Sequence, residues 1–256
     1  MPKPLRVASR FCGPPGIANG GYLAGLLARD LPGAVEVRLR APAPLDQPLE
    51  LHSHPDGSRT LEHQGTELAR AVPSALELEP RPAPDPADTL ARAGSCRAMR
   101  THPFPGCYVC GPAREDGLRV FPGMVAGSDA VAAVWTPGAE LCDATGRVAP
   151  EFLWAVLDCP SAFPLLESEA ARALEPMVLS KLCVALEGEL RAGEAALVVA
   201  WPIAQDGPRG SAGAAIFGAN GRIVGRARAT WVSLAKRALD RDPPALVEEL
   251  LPRRAQ

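Results

Sequence analysis

Two stretches of the chain are apolar on nearly every side of a helix, Gly20 to Leu31 and the run that follows Pro150. The first carries Tyr22, Leu23, Leu26 and Leu27, the second Phe152, Leu153, Trp154, Val156 and Leu157. A helix without a polar face must be buried on most sides. Around these two helices the pattern changes to strands. Leu5 to Phe11 and Ala130 to Trp135 read as strands ahead of the helices. Val35, Val37 and Leu39 alternate with Glu36, Arg38 and Arg40, and Ile223 to Val232 is long enough for a curved strand. An α+β fold is expected, in which an antiparallel sheet wraps each helix and the two sheets pair edge to edge.

The order strand, apolar helix, strands occurs twice. Gly21 to Leu27 lies over Glu151 to Leu157 at an offset of 130 residues, with aromatic, leucine, small and aliphatic positions coinciding. The last strands superpose at an offset of 156, Ala69-Arg70-Ala71 over Gly225-Arg226-Ala227. The second copy therefore carries insertions, one of them read as an exposed helix from Leu165 to Leu174. Alternating prolines from Pro80 to Pro86 remove backbone donors and favour an extended connector. The expected organisation is an N-terminal domain over 1–78, a Pro-rich linker over 79–106, a C-terminal domain over 107–236 and a tail, partly helical, over 237–256.

Charge narrows the partners. The 27 Lys and Arg against 29 Asp and Glu leave a net charge of -2, which offers no field of one sign to a nucleic acid. The apolar part of Phe11 to Ala28 is too short to cross a bilayer, and the N-terminus has no apolar signal segment. A cytoplasmic protein is expected, with its seven cysteines reduced.

The run Gly13-Pro14-Pro15-Gly16-Ile17-Ala18-Asn19-Gly20-Gly21-Tyr22, the segment Cys107-Tyr108-Val109-Cys110-Gly111-Pro112 with Asp116-Gly117-Leu118, and the helix Leu153-Trp154-Ala155-Val156-Leu157-Asp158-Cys159-Pro160 resemble the acyl-CoA thioesterase-like hotdog superfamily in its tandem, double-hotdog form. The resemblance covers nearly the whole chain. It implies hydrolysis of an acyl thioester, carried by coenzyme A or an acyl-carrier protein, without a cofactor. The alternative is a hotdog protein that binds acyl-CoA or scaffolds an assembly without catalysis. Hotdog sheets often pair further, so a homodimer is a further expectation.

Asp158 ends an apolar helix near its C-terminus, where burial and the helix dipole both disfavour an anion. A plainer role, bonding Ser161 or nearby amides in a turn, stays open. Its counterpart in the first copy is Ala28, which does no acid-base work, whereas the first helix opens with Asn19-Gly20-Gly21 and the second with Pro150, which has no N–H to give. The resemblance implies one composite site: the Gly20 or Gly21 amide polarises the thioester carbonyl and Asp158 activates water or attacks directly. Asn19, Tyr22, Phe152 and Trp154 are the expected substrate contacts.

Cys107-x-x-Cys110 suggests a metal, with Cys96 and His102 as completing ligands, but the spacing departs from paired-knuckle patterns. Two thiols packed in a turn explain it more simply, and no metal is expected. His52, His54 and His63 lack a clear acid partner, Ser161 and Ser180 lack a nucleophile elbow, and Arg70, Arg226 and Arg228 offer at most a phosphate rest at a sheet edge.

Overall fold

A computed structural model describes residues 3–168 and 176–234. Its strands are β1 (Lys3–Leu5), β2 (Ala34–Leu39), β3 (Leu49–Ser53), β4 (Arg59–His63), β5 (Thr66–Ser74), β6 (Gly123–Met124), β7 (Val131–Trp135), β8 (Met177–Leu186), β9 (Ala196–Asp206), β10 (Arg209–Phe217) and β11 (Ile223–Ser233). They form one continuous sheet in the order β1-β3-β4-β5-β2-β8-β11-β10-β9-β7-β6, antiparallel at every pairing. The seam is β2 against β8, where Val35 faces Val184 and Val37 faces Leu182. The two sheets expected to pair edge to edge form one continuous sheet of 11 strands, and edge pairing at this seam satisfies backbone groups that two free edges would expose.

The helices are α1 (Gly20–Ala28), α2 (Pro86–Ala91), α3 (Arg97–Arg100), α4 (Pro150–Asp158) and α5 (Phe163–Glu167). Both apolar helices lie inside. Tyr22, Leu23, Ala24 and Leu27 of α1 are buried, as is every residue from Glu151 to Asp158 of α4. β2 alternates as its sequence requires, with Val35 and Val37 inward and Arg38 exposed.

The loops ahead of α1 and α4 share one geometry. A 3-10 turn at Ser9–Phe11 matches one at Ala139–Leu141, and the bridge Cys12 to Ala18 matches Cys142 to Val148. The Asn19 N–H donates to Phe11 at 2.8 Å, and the Ala149 N–H to Leu141 at 2.9 Å. The predicted strand Leu5 to Phe11 is therefore only β1 followed by this turn, since the chain must bend to deliver α1 beneath the sheet.

Two other stretches differ from their sequence reading. The Pro-rich segment carries α2, capped by Asp85 on the Ala87 and Asp88 amides, and α3, with Cys96, Ala98 and Met99 buried. Of the predicted helix Leu165 to Leu174, only the start is described, as α5; Leu165 and Leu166 are buried rather than exposed, because α5 packs on β9 and β10, and residues 169–175 lie outside the described residues. The predicted tail, 237–256, lies outside them too. No helix among the described residues is long and apolar enough to cross a membrane.

α1 and α4 cross in direct contact, and two glycines set the closeness. A Cβ at Gly21 would lie 2.3 Å from Cβ of Asp158, and one at Gly25 would lie 2.5 Å from Cα of Glu151. One helical turn apart, they bring the α1 backbone against α4 along one face. Beyond Gly25, the Arg29 guanidinium pairs with the buried Glu151 carboxylate. Gly25→Leu keeps a good helix former but forces the backbones apart. It should destabilise the fold by about 3 kcal/mol, the upper range of overpacking, in a urea titration. Gly106→Ala, whose Cβ would meet nothing within 4 Å, should stay within about 0.5 kcal/mol of wild type.

Candidate active site

An apolar cavity of about 300 Å³ opens beside the α1–α4 crossing. Leu23, Leu39, Phe104, Phe163, Leu179 and Trp231 are among the side chains that wall it. Its polar end holds Asn19, Gly20, Asp158 and Cys159, with Cys107 and Cys110 beside them.

Asp158 is the last residue of α4 and is 1% exposed. Its Oδ2 accepts the Gly21 N–H at 2.7 Å, so α4's carboxylate sits on the N-terminus of α1. Its Oδ1 is buried with no hydrogen-bond partner. The turn-like role left open in the sequence falls to the main chain instead: the Asp158 carbonyl accepts the Ser161 hydroxyl at 2.6 Å, and Ser161 accepts Trp231 Nε1–H at 2.9 Å. Burial pushes the Asp158 carboxyl up to about 8, against the stabilising Gly21 amide.

The start of α1 assigns its free amides one by one. Tyr22 N–H goes to the Asn19 side chain at 2.9 Å, Leu23 N–H to the Asn19 carbonyl at 3.0 Å, and Gly21 N–H to Asp158. The Gly20 N–H has no acceptor among the described residues, and Gly20 lines the cavity. Of the two amides expected to meet a carbonyl, Gly21 is already committed and Gly20 is available.

Asn19 lies at the cavity, but Tyr22, Phe152 and Trp154 do not line it. Tyr22 stacks on Phe11 at 4.2 Å and meets Phe152 at 5.5 Å in an aromatic cluster with Tyr108. A helix apolar all round gives no sequence signal for which side faces the cavity, and the Tyr22 and Phe152 rings face the packed side.

The cysteines regroup. The Sγ atoms of Cys107, Cys110 and Cys159 lie within 4.8 Å of one another, and Cys96 stands outside that group. Sequence reasoning missed Cys159 because 52 residues separate it from Cys107. His52 has acid neighbours after all, Glu50 at 3.6 Å and Glu62 at 3.9 Å, supplied by its own strand and by β4. His54 instead meets Thr60 at 3.0 Å and His63 the Pro48 carbonyl at 3.0 Å. Arg70 pairs with Glu67 and Arg226 with Glu187, while Arg228 is exposed on β11.

No family model matches the sequence, and no curated protein matches it. Its fold is known from solved structures. The chain resembles the tesB protein of Mycobacterium avium subs paratuberculosis, 14% identical over 91% of this chain and 92% of that one, with a TM-score of 0.60. It also resembles a hot dog fold protein of unknown function from Alicyclobacillus acidocaldarius, 14% identical over 91% and 92%, with a TM-score of 0.59. The acyl-CoA thioesterase II TesB2 of Mycobacterium marinum is 12% identical over 90% and 92%, with a TM-score of 0.58. The architecture is therefore the hotdog fold.

If the Gly21–Asp158 bond pins α1 to α4, the two Asp158 variants should differ. Asp158→Ala strands a buried N–H and should cost about 1–3 kcal/mol of stability. Asp158→Asn keeps an acceptor oxygen and should remain within about 1 kcal/mol of wild type by urea titration.

Proposed function

We propose that the protein hydrolyses an acyl thioester at one composite site per chain. The observation that carries this reading is a buried carboxylate at the polar end of an apolar cavity, with one oxygen held by an amide of the other apolar helix and the other left free.

In this reading the acyl chain lies against the apolar wall, and its carbonyl oxygen takes the free Gly20 N–H, a donor fixed in place before substrate arrives. Asn19 caps the helix and holds that amide in position. Oδ1 of Asp158 takes a proton from water as the water oxygen bonds the carbonyl carbon. The C–S bond then breaks, and the thiol leaves with a proton. The Gly21 N–H keeps the carboxylate oriented throughout. Direct attack by Asp158 on the carbonyl is the other route open to the same geometry. The similarly folded Mycobacterium marinum structure named an acyl-CoA thioesterase II supports coenzyme A as the carrier.

We further read the chain as two tandem hotdog units, 1–78 and 107–236, joined through 79–106. Support comes from the matched loops before α1 and α4, which fall 130 residues apart as the apolar helices do. The equivalent of Gly21 is then Glu151, and the equivalent of Asp158 is Ala28. Glu151 and Arg29 fill the second position with an ion pair, which leaves one site.

One observation favours a second reading, a ligand-binding protein without turnover: the Gly21–Asp158 bond also serves as a pin between the helices. Thiol release from short, medium, aromatic and long acyl-CoA esters separates the two. Hydrolysis that falls by about 100-fold or more in Asp158→Asn identifies the reaction and assigns it to Asp158. Absence of turnover across the panel, with the esters still bound in calorimetry, selects the binding reading.

A further inference from the structure

The three cysteines at the cavity wall go beyond any role in thioester cleavage. We propose that Cys107, Cys110 and Cys159 bind a thiophilic metal ion, zinc above all, as a three-sulfur site whose fourth position faces the cavity. The Sγ atoms of Cys107 and Cys159 are 3.7 Å apart. Tetrahedral zinc with Zn–S bonds of about 2.3 Å requires sulfurs about 3.8 Å apart, so little movement is needed to close the site. Carboxylate and carbonyl ligands select hard cations, whereas three thiolates favour zinc and other soft ions.

The surroundings are arranged for thiolates rather than for packed thiols. Asn19 is 2% exposed, and its Nδ2 points at Cys159 Sγ at 3.3 Å and Cys107 Sγ at 3.9 Å. A buried amide NH₂ directed at two sulfurs is poorly satisfied by neutral thiols and well satisfied by metal-bound thiolates. On the other side, His102 Nε2 lies 3.3 Å from Cys110 Sγ, while its Nδ1 accepts the Phe104 N–H at 3.1 Å. That places the proton on Nε2, so His102 donates to the sulfur and supports the site without ligating the ion.

The backbone is shaped for the same purpose. Cys107 to Gly111 turn back so tightly that the Gly111 N–H reaches the Cys107 carbonyl at 2.9 Å. A Cβ at Gly111 would lie 2.5 Å from both the Cys107 nitrogen and oxygen, so only glycine closes this turn. It sets two cysteines on one side of a knuckle, and the residue after Asp158 supplies the third sulfur. Because all three cysteines line the cavity, the ion has an open coordination position there for water or a soft donor atom.

Elemental analysis of the full chain, purified without chelator, tests this independently of thioester hydrolysis. About one zinc per chain is expected in wild type and in Cys142→Ser, and less than about 0.2 in Cys107→Ser, Cys110→Ser and Cys159→Ser. Should those variants fail to fold, cobalt-loaded wild type decides: sulfur-to-cobalt charge transfer with intense tetrahedral visible bands supports the site. The proposal is overturned if wild type, incubated with zinc and desalted, stays well below one ion per chain. A cobalt spectrum like that of the hydrated ion overturns it as well, as does a Cys107–Cys159 disulfide in freshly purified protein.

Discussion

The close crossing of α1 and α4 is the constraint on which the rest depends. Without side chains at Gly21 and Gly25 the two backbones touch, and only at that distance can a carboxylate at the end of one helix reach an amide at the start of the other. The contact is costly in isolation, because an anion enters a setting without water. One short bond from a helix N-terminus offsets part of that cost, since the amide and the dipole both favour negative charge. The sheet then encloses the pair, and the seam between β2 and β8 makes that enclosure continuous.

The cavity inherits its chemistry from this crossing. Its walls are leucine, phenylalanine and tryptophan, whose burial follows from the hydrophobic effect alone. Its polar end consists of groups that the crossing leaves over: the Gly20 amide, one oxygen of Asp158 and the sulfurs beside Cys159. An apolar cavity ending in a few fixed polar atoms suits an apolar ligand with one reactive head.

Much of the fold was legible in the sequence, because two helices with no polar face and strands alternating at Val35, Val37 and Leu39 leave few arrangements. Asp158 was legible for the same reason: a carboxylate closing an apolar run stands out. The bond from Gly21 was not, since nothing local tells an amide at residue 21 that residue 158 is its acceptor. Aromatic residues on a buried helix give no sign of which neighbour they meet, and here Tyr22 and Phe152 meet each other while Trp154 lies off the cavity. Cys159 went unnoticed beside Cys107 and Cys110 because only the folded chain brings the turn and the end of α4 together. The 3-10 turns ahead of both helices were hidden as well, their apolar residues being as compatible with a short strand.

The Arg29–Glu151 ion pair sits at the other end of the same crossing. Glu151 is nearly enclosed while Arg29 is half exposed, so the pair holds its geometry through one buried partner and one that water can reach. Seen mechanically, the two helices are a pair of rods fastened at both ends, by a hydrogen bond at Asp158 and by an ion pair at Glu151, and they bear on each other at Gly21 and Gly25. Arg29 lies outside the cavity, yet its pair with Glu151 belongs to the same crossing that carries Asp158 and Gly20 at the cavity's polar end.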